Sequence, residues 1–168
     1  TASDRERNTR YEYQRSIWTV STICAGEYLE LKIMKHLDMV ILVDAVHTFI
    51  VESKEGFSVF KEMFALLEKF PQRKILLTGA DDDQYKKFGL NAAPYEVFTM
   101  KHHPEKSDSA YFHVLLEKFN LKPNQVIYFE HDKEAVRSAE SIGIKTYFYD
   151  AKDRDLKSLE KFLQTYLK

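Results

Sequence analysis

The sequence has a single cysteine, Cys24, which excludes an intrachain disulfide and any cysteine-cluster zinc site. A lone thiol fits a reducing compartment and reads first as a small buried apolar side chain. Long hydrophobic runs are missing too, and none approaches the roughly 18 residues that a membrane span needs. The polar opening TASDRERNTR does not have the pattern of a signal peptide, so the cytoplasm is the expected location. Neither sign of charge is in excess: 25 Lys and Arg face 26 Asp and Glu. No global field therefore draws the chain to nucleic acid or to an anionic membrane, and neither is expected as a partner. Repeats, low-complexity tracts and long linkers are also lacking.

What is present is a chain that is 44% hydrophobic and 30% charged, the balance of a globular domain. With 168 residues, one domain with a substantial core is the default. From Met39 onward short apolar runs alternate with amphipathic segments. MVILV (39–43), KILLT (74–78), YEVFTM (95–100), QVIYFE (125–130) and KTYFYD (145–150) read as strands. The spacing predicts a helix over 56–70 with Phe57, Phe60, Phe64 and Leu67 on one face, and a short helix around DDDQYKKFG. It predicts another over 107–120 with Phe112, Leu115, Leu116 and Phe119 inward. DKEAVRSAESIG (132–143) reads as a helix closed by Gly143, and the chain ends in a helix with Leu156, Leu159, Leu163 and Tyr166 on its stripe. Continuous apolar strands separated by helices imply an α/β fold, a doubly wound parallel sheet of five strands covered on both faces.

Residues 1–38 do not follow that rhythm. Apolar residues at Ile17, Val20, Cys24, Tyr28 and Leu31 have a helical spacing, while SIWTVSTI is β-branched enough to contest part of it. The expectation is an N-terminal, largely helical extension over 1–38, followed by the α/β domain over 39–168. That extension is the expected contact for a protein partner or for self-association.

Ligands of a doubly wound sheet bind outside the carboxyl ends of its strands, where the strand order reverses. The residues there are Asp44 after the first strand, Thr78 after the second, Lys106 before the third crossover helix, and Glu130, His131 and Asp132 after the fourth. Taken singly, an Asp ending a strand is usually a cap or turn residue, and a lone Lys is usually solvated. Together they suit phosphoryl transfer: a carboxylate attacks phosphorus, a hydroxyl and an ammonium hold the phosphate oxygens, and an acidic cluster binds Mg²⁺.

In this order, ILVDAVHTF, ILLTGA, Lys106 and YFEHD resemble the four motifs of the haloacid dehalogenase (HAD) superfamily over 39–168. KSDSAYFHVLLEKFNLKPNQVIYFEHDKEAVRSAESIGIKTYFYD is similar to the family's run from its motif-three lysine to its last core strand. The resemblance implies the Rossmann-like HAD core, Asp44 as nucleophile, and Thr78 and Lys106 as phosphate holders. It also implies magnesium as cofactor, near Asp44, Glu130 and Asp132.

Four departures bear on that chemistry. The family's phosphatases carry an acid two residues after the nucleophile, whereas Val46 cannot hold a proton. Losing a positioned acid forfeits on the order of 10²–10⁴ in rate. In motif four, His131 stands at the metal-binding place, and imidazole is a poor replacement for a hard oxygen ligand of Mg²⁺. Glu130 or Asp132 reaching in, or a transition metal on His131 and Asp44, would restore a site. Position 47, usually Gly, is His47. Finally, 34 positions separate Asp44 from Thr78 and 28 separate Thr78 from Lys106, too few in either case for a lid domain. An open site suits macromolecular substrates or none.

His102, His103 and the acidic run 81–83 read as a polar loop and a helix N-terminus. His36 and His113 read as packing or surface residues. Two functions remain open on the sequence. One is an impaired HAD-type domain used for binding or assembly, which the two chemical defects favour. The other is an active HAD-type hydrolase of a phosphorylated substrate with a rewired metal site. A phosphate or nucleotide sensor using the same cleft is a weaker third.

Overall fold

The structure is a computed structural model that describes residues 38–167, so the expected helices of the N-terminal extension lie outside the described residues. Its centre is β1 (Val40–Asp44), whose five residues are all buried. Parallel pairing runs outward to β4 (Arg73–Thr78) and β5 (Glu96–Thr99) on one side. On the other it runs to β6 (Val126–Glu130) and β7 (Lys145–Phe148). The order β5-β4-β1-β6-β7 is the expected five-stranded parallel sheet, with its reversal at β1.

Both faces are covered because side chains alternate along each strand. Ile41, Val43, Leu76, Ile127 and Phe129 enter one core, and Val40, Leu42, Ile75, Leu77, Val126 and Tyr128 enter the other. The first is closed by Met63, Leu66 and Leu67 of α1 (Lys61–Leu67) and by Leu159, Leu163 and Leu167 of α5 (Leu156–Leu167). The second is closed by Tyr111, Phe112, Leu115 and Leu116 of α3 (Ser109–Phe119) and by Ala139 of α4 (Lys133–Ser141). The remaining helix, α2 (Asp82–Lys87), is held at its start by Asp81. That carboxylate accepts from the backbone of Asp83 and Gln84 in a capping box, the role expected of the acidic run.

Two expectations need correction. The helix over 56–70 begins only at Lys61. Residues 56–59 instead form β3 (Gly56–Val59), an antiparallel hairpin partner of β2 (Ile50–Ser53) in the register Ile50↔Val59. The local phenylalanine spacing suits a helix, but Gly56 at φ 111° turns the chain, and pairing with IVES satisfies the backbone first. At the C-terminus Tyr166 is partly exposed, and Leu167 fills the stripe behind Leu159 and Leu163. The four-residue step places Leu167, not Tyr166, on that face.

Candidate active site

The carboxyl ends of β1, β4 and β6 lie side by side, with Asp44 opposite Leu77 and Val43 opposite Phe129 in register. That places Asp44, Thr78 and Glu130 along one edge at the switch point. The chain turns sharply after Asp44: the Phe49 and Ile50 amides both donate to the Ala45 carbonyl, at 3.0 and 2.7 Å. This turn returns Thr48 to Asp44, and its hydroxyl donates to Oδ2 at 2.5 Å.

Asp44 is buried, and both of its oxygens are engaged. Lys106 Nζ donates to Oδ1 at 2.6 Å, and His131 Nδ1 lies 2.6 Å from Oδ2. Glu130, fully buried, is bound from every side. Lys106 Nζ and the Tyr128 hydroxyl donate to Oε2, the former at 2.5 Å. The His131 and Asp132 amides donate to Oε1 at 2.9 and 3.0 Å. His131 Nδ1 is also 3.0 Å from Oε1. Two carboxylates are thus bridged on one side by an ammonium and on the other by an imidazole.

This arrangement fixes the charges. Burial works against the Lys106 ammonium, but the Asp44 and Glu130 carboxylates outweigh it and hold its pKa well above the usual value. Burial likewise opposes the Glu130 carboxylate. The Lys106 charge, then hydrogen bonds from His131, Lys106 and Tyr128, bring its pKa down to about 2. His131 is pushed up to about 10 by its hydrogen bonds to Asp44 and Glu130, against its partial burial. Near neutral pH, Glu130 is therefore ionised and both Lys106 and His131 carry protons.

Of the residues singled out in the sequence, Asp44, Lys106, Glu130 and His131 come together. Thr78 is buried at the end of β4, where its hydroxyl accepts from the Ala80 amide at 3.1 Å. Its carbonyl accepts from the buried Tyr111 hydroxyl. Asp132 caps α4, accepting from the Glu134 amide at 2.9 Å. Val46 is half-buried against the core beside β1. His102, on the loop leading to Lys106, has Nδ1 2.7 Å from Glu105 Oε1 and Nε2 2.6 Å from Gln84 Oε1. His113 is exposed on α3.

Sequence reasoning overlooked two members of the cluster, Thr48 and Tyr128. Tyr128 lies two residues before Glu130 on one strand, hence on the same face, which was a usable signal. Thr48 depends on the turn after Asp44 and left none.

His47 occupies that turn at φ 71°, with its ring centroid 5.4 Å from that of His131. A side chain pays for this left-handed geometry with about 1–2 kcal/mol of strain. Because glycine's own chain-entropy penalty offsets part of that, His47→Gly is expected to raise stability by about 0.5–1 kcal/mol. The urea midpoint of the two proteins checks this, and a lower midpoint for the glycine variant would contradict it.

No protein-family model matches the chain, and no curated protein matches it in sequence. Solved structures do match in shape. A HAD-family enzyme of Bacteroides thetaiotaomicron, in its magnesium complex, aligns with a TM-score of 0.57 at 14% identity, over 72% of this chain and 97% of the other. The same enzyme with magnesium and inorganic phosphate aligns with a TM-score of 0.56 at 13% identity, over 67% and 94%. A HAD-superfamily hydrolase of subfamily IA from Geobacter sulfurreducens aligns at 0.53 and 12%, over 72% and 98%. At these identities the likeness is one of fold: the chain shares the fold of these HAD-family structures. Three of its residues, Asp44, Glu130 and His131, each bring a ligand atom within 4.8 Å of the others'. No helix among the described residues is long and apolar enough to cross a membrane.

Proposed function

We propose that this is a HAD-type domain, without a lid, whose aspartyl centre no longer carries out magnesium-dependent phosphoryl transfer. Its role is then binding or assembly in the cytoplasm. The observation that carries the reading is the 2.6 Å contact between His131 Nδ1 and Asp44 Oδ2. A carboxylate nucleophile needs a free oxygen lone pair for phosphorus and a cation that leaves that oxygen accessible. Here Oδ2 already faces the imidazole and the Thr48 hydroxyl, and Oδ1 faces Lys106. Val46 supplies no proton to a leaving group.

Magnesium does not fit this donor set. It demands near-octahedral oxygen ligands at about 2.0–2.1 Å, whereas the group nearest Asp44 Oδ2 on the open side is a nitrogen. The partner we infer is a protein or a second copy of the chain engaging residues 1–38.

An active hydrolase is the second reading. Its support is that Asp44 and Thr78 stand at strand ends and that Lys106, on the loop before α3, is hydrogen-bonded to Asp44. Turnover of p-nitrophenyl phosphate with Mg²⁺ or Mn²⁺ separates the two. The impaired domain gives no rate above that of Asp44→Asn. A metal-dependent rate that Asp44→Asn abolishes, or a beryllofluoride adduct on Asp44, establishes the hydrolase instead.

A further inference from the structure

The features that exclude magnesium suit a different ion. Lys106 takes one oxygen of each carboxylate, Asp44 Oδ1 and Glu130 Oε2. The other two, Asp44 Oδ2 and Glu130 Oε1, face His131 Nδ1 at 2.6 and 3.0 Å, and Oδ2 also accepts from the Thr48 hydroxyl at 2.5 Å. One nitrogen and two carboxylate oxygens therefore converge on one side of the lysine. Imidazole with carboxylate is a donor set for zinc, cobalt or nickel rather than for magnesium.

We propose that Asp44, His131 and Glu130 form a site for a borderline transition-metal ion of the zinc class. The inference rests on the reading of this centre as having left magnesium chemistry. Asp44 and His131 are the primary ligands. Glu130 is the third and weaker one, since its Oε1 also accepts from the His131 and Asp132 amides.

The geometry requires little rearrangement. Ligand atoms around a tetrahedral zinc, bound at about 2.0–2.2 Å, stand about 3.4 Å apart. The Nδ1–Oδ2 and Nδ1–Oε1 pairs each have to open by less than about 1 Å to admit the ion. The movable partner is His131, whose side chain is 30% exposed, while the Asp44 and Glu130 side chains are 2% and 0% exposed. The ion takes the place of the proton between Nδ1 and Oδ2, and the exposed side of His131 admits water to the remaining position. The two carboxylates are held at fixed separation by Lys106, so half of the ligand set is organised before any metal arrives.

The experiment uses the full chain, freed of metal with a chelator and then titrated calorimetrically with Zn²⁺. A parallel titration with Co²⁺ is followed by visible absorption. One zinc per chain is expected to bind with micromolar or tighter Kd, and cobalt to give a low-symmetry visible band. His131→Ala and Asp44→Asn should each weaken zinc by at least tenfold, with folding confirmed by circular dichroism. His131→Gln serves as the second variant if the alanine form fails to fold. His102→Ala, which removes the imidazole of the other His–Glu pair, should leave the affinity unchanged. Zinc affinity that survives His131→Ala or His131→Gln, or that disappears only with His102→Ala, would overturn the site, as would no binding by the wild type. Magnesium-dependent turnover defeats the proposed function without touching these zinc results, so the two failures are distinguishable.

Discussion

Lys106→Met is expected to lower the free energy of unfolding by about 3–5 kcal/mol, the cost of leaving buried charge without its partner. Among the described residues, Lys106 is the one ammonium that touches both Asp44 and Glu130, at 2.6 and 2.5 Å. Both carboxylates are almost wholly buried, so water cannot take over its role. Methionine replaces the four-atom stem of the lysine and omits only the ammonium, which concentrates the effect on charge. Adding Glu130→Gln to Lys106→Met removes one of the stranded charges, and the double variant should recover part of the loss. Urea denaturation of the wild type and both variants measures this. A loss below about 1 kcal/mol for Lys106→Met would mean that the pair is as weak as an exposed salt bridge.

The second large effect is on the pH dependence of stability, measured in chelator. The His131 pKa is raised from 6.5 to about 10 in the folded chain. Its contribution is therefore fully present below about pH 6.5 and is lost as pH rises through about 10. Glu130 is lowered from 4.5 to about 2, so its contribution is present above about pH 4.5 and is lost as pH falls through about 2. The cluster stabilises the fold most between about pH 4.5 and 6.5 and less on either side. Discounted for the exposure of His131, the alkaline loss is on the order of 2 kcal/mol. His131→Gln should show a much shallower decline between pH 6 and 10 in the same urea titrations. Parallel curves for variant and wild type would show that the imidazole does not carry that slope.

Much of the candidate site was legible because a doubly wound sheet makes position predictable. Once VILVD, KILLT and QVIYFE are strands of one parallel sheet, Asp44, Thr78 and Glu130 must stand at its carboxyl edge. Lys106 was placed by the order of the motifs. Their bonding was not legible. Nothing in the spacing of EHD says that Glu130 turns inward to the lysine, that His131 swings onto Asp44, or that Asp132 turns away to cap α4. Those choices depend on which acceptors remain after the strand-end amides are satisfied, and that is a property of packed neighbours. The hairpin at 50–59 was missed for a related reason. The stretch carries helical periodicity, and only the presence of a partner strand decides against it.

The sequence by itself determined the α/β class and the five strands of the parallel sheet, and it places Val46, which holds no proton, two residues after Asp44. It could do so because burial on both faces writes a continuous apolar run into each strand. Only the tertiary structure decided what the remaining polar groups do with one another. Asp44, Lys106, Glu130 and His131 are up to 87 positions apart in the chain and meet only when the ends of β1 and β6 and the loop before α3 are brought together. The physical reason is that a buried charge is defined by its partners, and partners are chosen in space.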